Sequence, residues 1–221
     1  MFDSTMLLLL GTGLSLGLLH AFDADHIMAV SSLSQRSVTT RGIVTFCGRW
    51  ALGHGVTVAM LAWLLLAFDW QLGESARLWA ERAIGLLLIA AGGWLMVRLY
   101  KPTLRLHTHR HGDLCHTHLI DNRHSHDNHL PVLVGVIHGI AGSAPLLALL
   151  PSLVDGSPML GAAYIAVFSA GVLLSMLGFG MVLGAAQRWL LSRGNDLFNY
   201  AKGLLGALTL VLGGFWLAGT L

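Results

Sequence analysis

Six long apolar runs constrain this chain more than any other feature of its sequence. About 20 apolar residues suffice to cross a hydrocarbon core of about 30 Å as a helix. Only 11% of the 221 residues are charged, whereas soluble domains carry about 25%. We therefore expect an all-α integral membrane protein, a single transmembrane domain over residues 1–221 with six spans. The spans are predicted near residues 5–31, 47–67, 82–100, 131–151, 158–186 and 200–219.

Lys and Arg are distributed unevenly between the two sides of these predicted spans. Eleven of the 13 lie in or next to the loops between spans 1 and 2, 3 and 4, or 5 and 6, and only Arg77 and Arg82 fall on the other side. Basic residues concentrate on the cytoplasmic side of membrane proteins. This pattern predicts a multi-pass protein of a bacterial-type cytoplasmic (inner) membrane with both termini outside. The net charge of +2 and the lack of a basic patch interleaved with aromatic residues argue against nucleic acid as a partner.

A weak internal alignment raises the question of symmetry. "LHAFDADHIMAVSSL" in span 1 aligns with "IHGIAGSAPLLALLPSL" in span 4, with His20 opposite His138. Three spans in each half would make a 3+3 inverted repeat, an arrangement common in secondary transporters. Chance similarity between apolar helices explains the match about as well. The pairs Gly13/Gly17 and Gly180/Gly184 predict close helix packing.

The segment "GLLHAFDADHIMAV", residues 17–30, places four ionisable side chains within seven residues of span 1. Each costs about 2.5–3.5 kcal/mol at the centre of a membrane helix. On an ideal helix, His20, Asp23 and His26 share one face, whereas Asp25 points to roughly the opposite side. Either Asp25 serves a different partner, or the helix is irregular here. Irregular backbone at membrane depth is tolerated only where it is buried in protein or lines a cavity.

These residue types indicate a transition-metal site. Imidazole nitrogens with one or two carboxylates suit Ni, Co, Zn or Mn better than Cu(I) or Ca. The alternative is that His and Asp only hold helices together, but four ionisable groups exceed what such contacts need. We predict His20, Asp23, Asp25 and His26 as metal-handling residues, and whether Asp23 or Asp25 contacts the ion stays open.

Two further membrane histidines are predicted at a similar depth. His54 lies in "RWALGHGVTV" and His138 in "VGVIHGIAGSAPLL", each about 10 Å inside the cytoplasmic boundary at 1.5 Å per residue. Span 1 enters from outside and reaches His20 after about 21 Å. We therefore expect His54 and His138 to approach His20 and His26 in the inner half of the membrane. For each taken singly, a structural core histidine is nearly as plausible as a ligand.

Three motifs resemble those of the nickel–cobalt permease family. His20-Ala-Phe-Asp-Ala-Asp25-His26 is similar to its H-x4-D-H signature, and "LGHG", residues 52–55, to its second motif. "HGIAGSAPLL", residues 138–147, resembles the short, urease-accessory type of nickel permease. The resemblance implies a Ni(II) or Co(II) permease in which His20, Asp25 and His26 handle the metal and His54 supports them. Leu19 stands where many members have Arg, and six spans replace the classical eight, which leaves the metal preference open.

A histidine-rich cytoplasmic loop is predicted at residues 101–130. Alternating His-x-His in a polar segment is typical of a metal-binding tract, and the alternative is a solvated connector. It lies outside the membrane, so it is expected to capture metal rather than to conduct it. The residues predicted to capture metal are His107, His109, His111, Cys115, His116, His118, His124, His126 and His129.

These features predict a secondary transporter that imports Ni(II) and/or Co(II) as its substrate, with no permanently bound cofactor. No Gly-x4-Gly-Lys-Ser/Thr loop is present, and no enzymatic activity is expected. Partners would be the divalent ion, the lipid bilayer and cytoplasmic metallochaperones of nickel enzymes. Two alternatives stay open: an exporter of the same fold whose loop collects cytoplasmic metal, and a histidine-rich membrane metalloenzyme. The sequence leaves the choice of metal, the direction, the coupling ion and the oligomeric state open.

Overall fold

The computed structural model describes residues 4–37, 39–68, 73–100, 106–111, 114–119, 129–142 and 157–219. These ranges contain seven α-helices, a short 3-10 helix and one pair of antiparallel strands. In chain order the elements are α1 (Ser4–His20), α2 (Ala24–Leu33), the 3-10 helix (Ser34–Arg36), α3 (Thr40–Phe68), α4 (Glu74–Tyr100), β1 (Leu106–His111), β2 (Leu114–Leu119), α5 (Leu130–Gly142), α6 (Pro158–Arg193) and α7 (Asn195–Gly219).

The membrane-spanning part is helical, as predicted, but the described residues do not establish six spans. Helices α3, α4, α6 and α7 are each long and apolar enough to cross a membrane, and α1 with α2, bent by 52° at a short break, makes a fifth. The predicted span 131–151 is represented by α5, whose 13 residues reach only about 20 Å. Residues 143–151 lie outside the described residues. The 3+3 inverted repeat depends on this span and stays unestablished.

The helices are longer than the apolar runs that predicted them. Helix α3 begins seven residues and α4 eight residues before the predicted spans, so Arg41 and Arg49 lie in a helix rather than in a loop. Charged residues do not interrupt a helical backbone, and their long side chains can reach the headgroup region. At the other end of α4, the guanidinium of Arg98 lies 4.4 Å from the ring centre of Trp94, a pairing typical of a membrane interface.

Helix α1 packs against α6 through glycines on both helices. A Cβ at Gly17 would overlap the carbonyl group of Phe168, and one at Gly171 would lie 2.6 Å from the carbonyl oxygen of Leu14. A Cβ at Gly13 would lie 3.0 Å from the Tyr164 ring. Small residues allow backbones in a membrane to approach this closely. The close packing predicted for the Gly13/Gly17 pair is therefore confirmed.

Helix α3 lies between α5 and α6. Gly180 and Gly184 bring α6 against α3, as predicted for this pair. On the other side, Gly135 and Gly139 bring α5 against the backbone of α3 near Trp50. These contacts fix the rotation of α5 and so determine where its side chains point.

Helix α2 packs against α4 and α7. The Ser32 hydroxyl lies 2.8 Å from the Thr209 hydroxyl, and both side chains are fully buried. Thr209 donates to the Leu205 carbonyl oxygen at 2.7 Å, so Ser32 is the donor between the two hydroxyls. This bond ties the second helix of the chain to the last described one.

The histidine-rich loop contains the two strands. In the register, His107 lies opposite His118 and His109 lies opposite His116. Strands here depart from an all-α expectation, although they lie outside the membrane-spanning helices. The alternating His-x-His pattern has the two-residue period of a strand, which gives a physical reason for the difference.

Candidate metal centre

The candidate site is built around the break between α1 and α2. Helix α1 ends at His20 and α2 begins at Ala24. The structure therefore shows an irregular helix, which is one of the two explanations offered for the direction of Asp25. The carbonyl oxygen of His20 accepts from the backbone N–H of Asp23 at 3.1 Å and from Nδ1–H of His26 at 3.0 Å. These bonds satisfy backbone that has left the helix, which a membrane interior requires.

Four histidines from four helices meet at this break. His20, His26 and His54 each offer a ring nitrogen, and the three nitrogens lie within 4.8 Å of one another. The Nε2 atoms of His20 and His54 are 3.3 Å apart. The His138 ring centre lies 5.3 Å from that of His26. The structure thus brings together the residues that the depth argument predicted to meet, and their role as metal ligands stays a prediction.

Hydrogen bonds orient three of these rings. The Val134 carbonyl oxygen accepts from Nδ1–H of His138 at 2.8 Å, and the His20 carbonyl oxygen accepts from Nδ1–H of His26. Nδ1 of His20 lies 2.8 Å from a carboxylate oxygen of Asp23. A neutral ring with its hydrogen on Nδ1 has a lone pair on Nε2. Such a second hydrogen bond is what orients metal-binding histidines.

The Nε2 atoms of His26 and His138 are buried and have no hydrogen-bond partner in the described part of the chain. Buried polar atoms are usually paired, so two unpartnered nitrogens in one cluster need an explanation. Their lone pairs can accept a hydrogen bond or bind a cation. His54 differs from the other three, because its Nδ1 finds no partner among the described residues.

The two carboxylates occupy different surroundings. Asp23 is 54% exposed and reaches His20, whereas Asp25 is buried, with an oxygen 4.0 Å from Nε2 of His26. Asp25 also lies close enough to His138 for their charges to interact. Asp23, Asp25 and His26 form a second group whose ligand atoms lie within 4.8 Å of one another. His26 therefore belongs to both groups.

The sequence analysis missed two residues of this site. The Trp50 indole stacks on His54, with ring centres 5.3 Å apart and 22° between planes, and meets the His26 ring edge at 4.8 Å. Gly142 lies beside His20 and His26. Both could have been found from helical spacing, since Trp50 precedes His54 by four residues and Gly142 follows His138 by four.

The predicted loop residues do not join this site. Those at 107, 109, 111, 115, 116 and 118 lie on the two strands, and His129 precedes α5. His124 and His126 lie outside the described residues. Metal capture by these residues stays a prediction.

A lateral groove of about 580 Å³ between α3 and α6 is a separate feature. Its walls are almost entirely apolar, with Trp63, Leu66 and Ile165 among them. None of the residues that line it carries a charge or an imidazole. An ion would find its ligands at the break, not in the groove.

The arrangement at the break suits a cation. Two nitrogens about 2.1 Å from a shared ion lie about 3.0–3.4 Å apart at ordinary coordination angles, and the His20–His54 separation is 3.3 Å. Helix α1 ends at the cluster, at His20. The C-terminal end of a helix carries partial negative charge, which adds to the attraction for a cation.

Comparison with known proteins places these features in a family. A urease accessory protein, UreH, of Bacillus sp. (strain TB-90) is 28% identical to the chain over 183 residues, which cover 81% of this chain and 77% of that protein. No solved structure matches the chain significantly.

The family found is not the one expected from the motifs. The resemblance to nickel–cobalt permeases is supported only as far as a UreH-like membrane protein. The family model that matches is described as the cytochrome c biogenesis protein transmembrane region, and the match covers residues 27–214. This chain therefore belongs to the cytochrome c biogenesis protein transmembrane region family.

Proposed function

We propose that this chain is a secondary transporter that carries a divalent transition-metal ion, Ni(II) or Co(II), across the cytoplasmic membrane. The observation that carries the proposal is the meeting of His20, His26 and His54 within 4.8 Å at the break between two membrane helices. A histidine pair could be a packing contact. Oriented, buried rings with unpartnered nitrogens are more than helix packing needs.

The position of the site supports transport rather than storage. Broken helices whose ends point at the substrate are the usual sites of secondary transporters. The exposed fraction of the side chain falls from 54% at Asp23 to 17% at His20 and 1% at His26. The proposed ligands therefore form a series from an accessible carboxylate to a buried imidazole ring. His26 belongs to both ligand groups, so an ion can move between them without losing that ligand.

The choice of metal rests on the ligands and on the relative. Imidazole with carboxylate suits Ni and Co. The similarity to a urease accessory protein agrees with the resemblance of residues 138–147 to the short, urease-accessory type of nickel permease. Cytoplasmic metallochaperones of nickel enzymes are the partners that would receive the imported ion.

Import needs no other source of energy. A divalent cation that crosses about 100 mV, inside negative, gains about 4.6 kcal/mol. The proposed orientation has both termini outside and the histidine-rich loop in the cytoplasm, where it would hold ions that have passed. An exporter with the same spans would work against this potential and would need a coupled ion.

The test is uptake of radioactive Ni(II) and Co(II) by cells that produce the chain, with and without a protonophore. We expect uptake above that of cells producing the His20→Ala variant, and a loss of uptake when the potential collapses. Lower metal content than in the control cells would indicate export instead. Equal metal content in the two strains, with both proteins in the membrane, would contradict a role in metal transport.

A further inference from the structure

Gly142, the last residue of α5, faces the two histidines of the α1–α2 break. A Cβ at this position would lie 3.7 Å from Nε2 of His20 and 3.9 Å from Nε2 of His26. Its nearest neighbour would be Cε1 of His20, at 3.4 Å. Among the described residues, the two imidazoles are therefore the nearest neighbours of the side chain that this glycine lacks.

Helix packing does not account for this glycine. At Gly139, one turn earlier, a Cβ would lie 2.9 Å from the His54 carbonyl oxygen and 2.9 Å from Cβ of Thr57. That position needs glycine because two helices touch there. At Gly142 the three nearest atoms in the described part of the chain are all imidazole atoms at ordinary van der Waals distances, so an alanine would fit against them.

Backbone conformation does not account for it either. Among the described glycines, positive φ occurs at Gly194 and not at Gly142. Within a helix of ordinary conformation, glycine is less favourable than alanine. Among the described residues, the space beside the two imidazoles is the remaining structural reason for glycine at this position.

We propose that Gly142 is a specificity-determining residue that keeps one coordination position of the transported ion free for water. This inference rests on the proposed function. A further ligand of an ion bound by two nitrogens at about 2.1 Å would lie about 3.0–3.4 Å from each of them. The Cβ position, at 3.7 and 3.9 Å, is close to that place. A methyl group there would occupy a coordination position without being able to coordinate.

The consequence is discrimination by coordination geometry. Zn(II) is satisfied by four ligands in a tetrahedron, whereas Ni(II) favours square-planar or tetragonal geometry. A site in which water can take a position that the protein leaves free therefore suits Ni(II). The same site with a methyl group at residue 142 would suit Zn(II) relatively better.

The test compares Ni(II) and Zn(II) binding to purified full-length protein in detergent. The His20→Ala variant measures the metal that the histidine-rich loop holds, which is subtracted from each titration. We expect Gly142→Ala to weaken Ni(II) binding at the membrane site at least about 10-fold and to change Zn(II) binding less than about 3-fold. Co(II) bound to this variant should show the stronger visible absorption of a four-coordinate ion.

Two glycine variants control for packing. Gly93→Ala, on α4, has no neighbouring atom within 4 Å of the added Cβ and should leave both metals unaffected. Gly139→Ala should reduce the stability of the protein and weaken the binding of Ni(II) and of Zn(II) to a similar extent. Gly142→Ser, which offers an oxygen at the same place, should restore Ni(II) binding relative to Gly142→Ala.

Equal Ni(II) affinity in wild type and Gly142→Ala would overturn the inference. An equal loss of affinity for Ni(II) and Zn(II) in Gly142→Ala would also overturn it, and so would a failure of this variant to fold. Either result would show that glycine is needed for packing. If the wild type binds no more Ni(II) than His20→Ala, the proposed function itself is contradicted.

Discussion

Two parts of this chain are rich in histidine, and they differ in everything except residue type. In the membrane, four histidines lie on four different helices, and hydrogen bonds or ring contacts orient each of them. In the loop, histidines alternate along two short strands that follow each other in the chain. The first arrangement needs the whole fold to form, and the second needs only a local segment. We expect the membrane histidines to bind metal selectively and the loop histidines to increase the number of metal ions bound per chain.

The largest effect that separates the two regions is expected from His26→Ala. His26 belongs to both ligand groups and is 1% exposed, so its loss removes a ligand at each stage of passage. We expect uptake of Ni(II) to fall at least about 100-fold, beyond the 10–100-fold typical when only an outer hydrogen-bond partner is lost. His129→Ala in the loop is the control and should leave uptake unchanged. Similar losses in both variants would remove the distinction between the regions.

A second, smaller effect is expected at Asp23. A carboxylate oxygen of Asp23 lies 2.8 Å from Nδ1 of His20. This contact holds the ring hydrogen of His20 on Nδ1. Asp23→Ala should reduce metal affinity about 10–100-fold, the usual cost of removing a group that orients a ligand. Asp23→Asn can still accept this hydrogen bond and should lose less. Titration of purified protein with Ni(II) measures both variants, and an equal loss in the two would assign the effect to charge rather than to orientation.

Ser32→Ala tests whether distant packing supports the membrane site. The variant removes the donor to Thr209 and should lower the free energy of unfolding by about 1 kcal/mol, measured by denaturant in detergent micelles. We expect the apparent metal affinity of the membrane site to fall about fivefold at most. Ser192→Ala, on the exposed end of α6, is the matched control. A stability equal to that of wild type would show that this bond contributes nothing net.

The smallest effect on transport is expected from the loop. Replacing its eight histidines with serine should lower the number of Ni(II) ions bound per chain and change the initial uptake rate less than about 3-fold. Equilibrium dialysis measures the first quantity and radioactive uptake the second. The loop is predicted to lie outside the membrane, so a loss of all transport in a well-folded variant would make it part of the pathway.

The sequence was sufficient to predict the helical membrane class and the meeting of His20, His26 and His54. Apolar length predicts a span, and depth along a span follows from a fixed rise per residue. The break at residues 21–23 was only one of two alternatives, because ideal helical angles cannot show where a helix stops. Gly142 was missed because a glycine has no side chain that indicates a role in a site before its neighbours are known. Trp50 was missed because an aromatic residue in an apolar run usually indicates core packing.

The bond between Ser32 and Thr209, two residues 177 positions apart, has a consequence for biosynthesis. The segment that carries His20 and His26 is synthesised before α7, the helix that anchors it. During translation these histidines therefore enter the membrane before their final support exists. A nascent chain that stops before Thr209 lacks this anchor, so the site reaches its final geometry only after Thr209 has been synthesised.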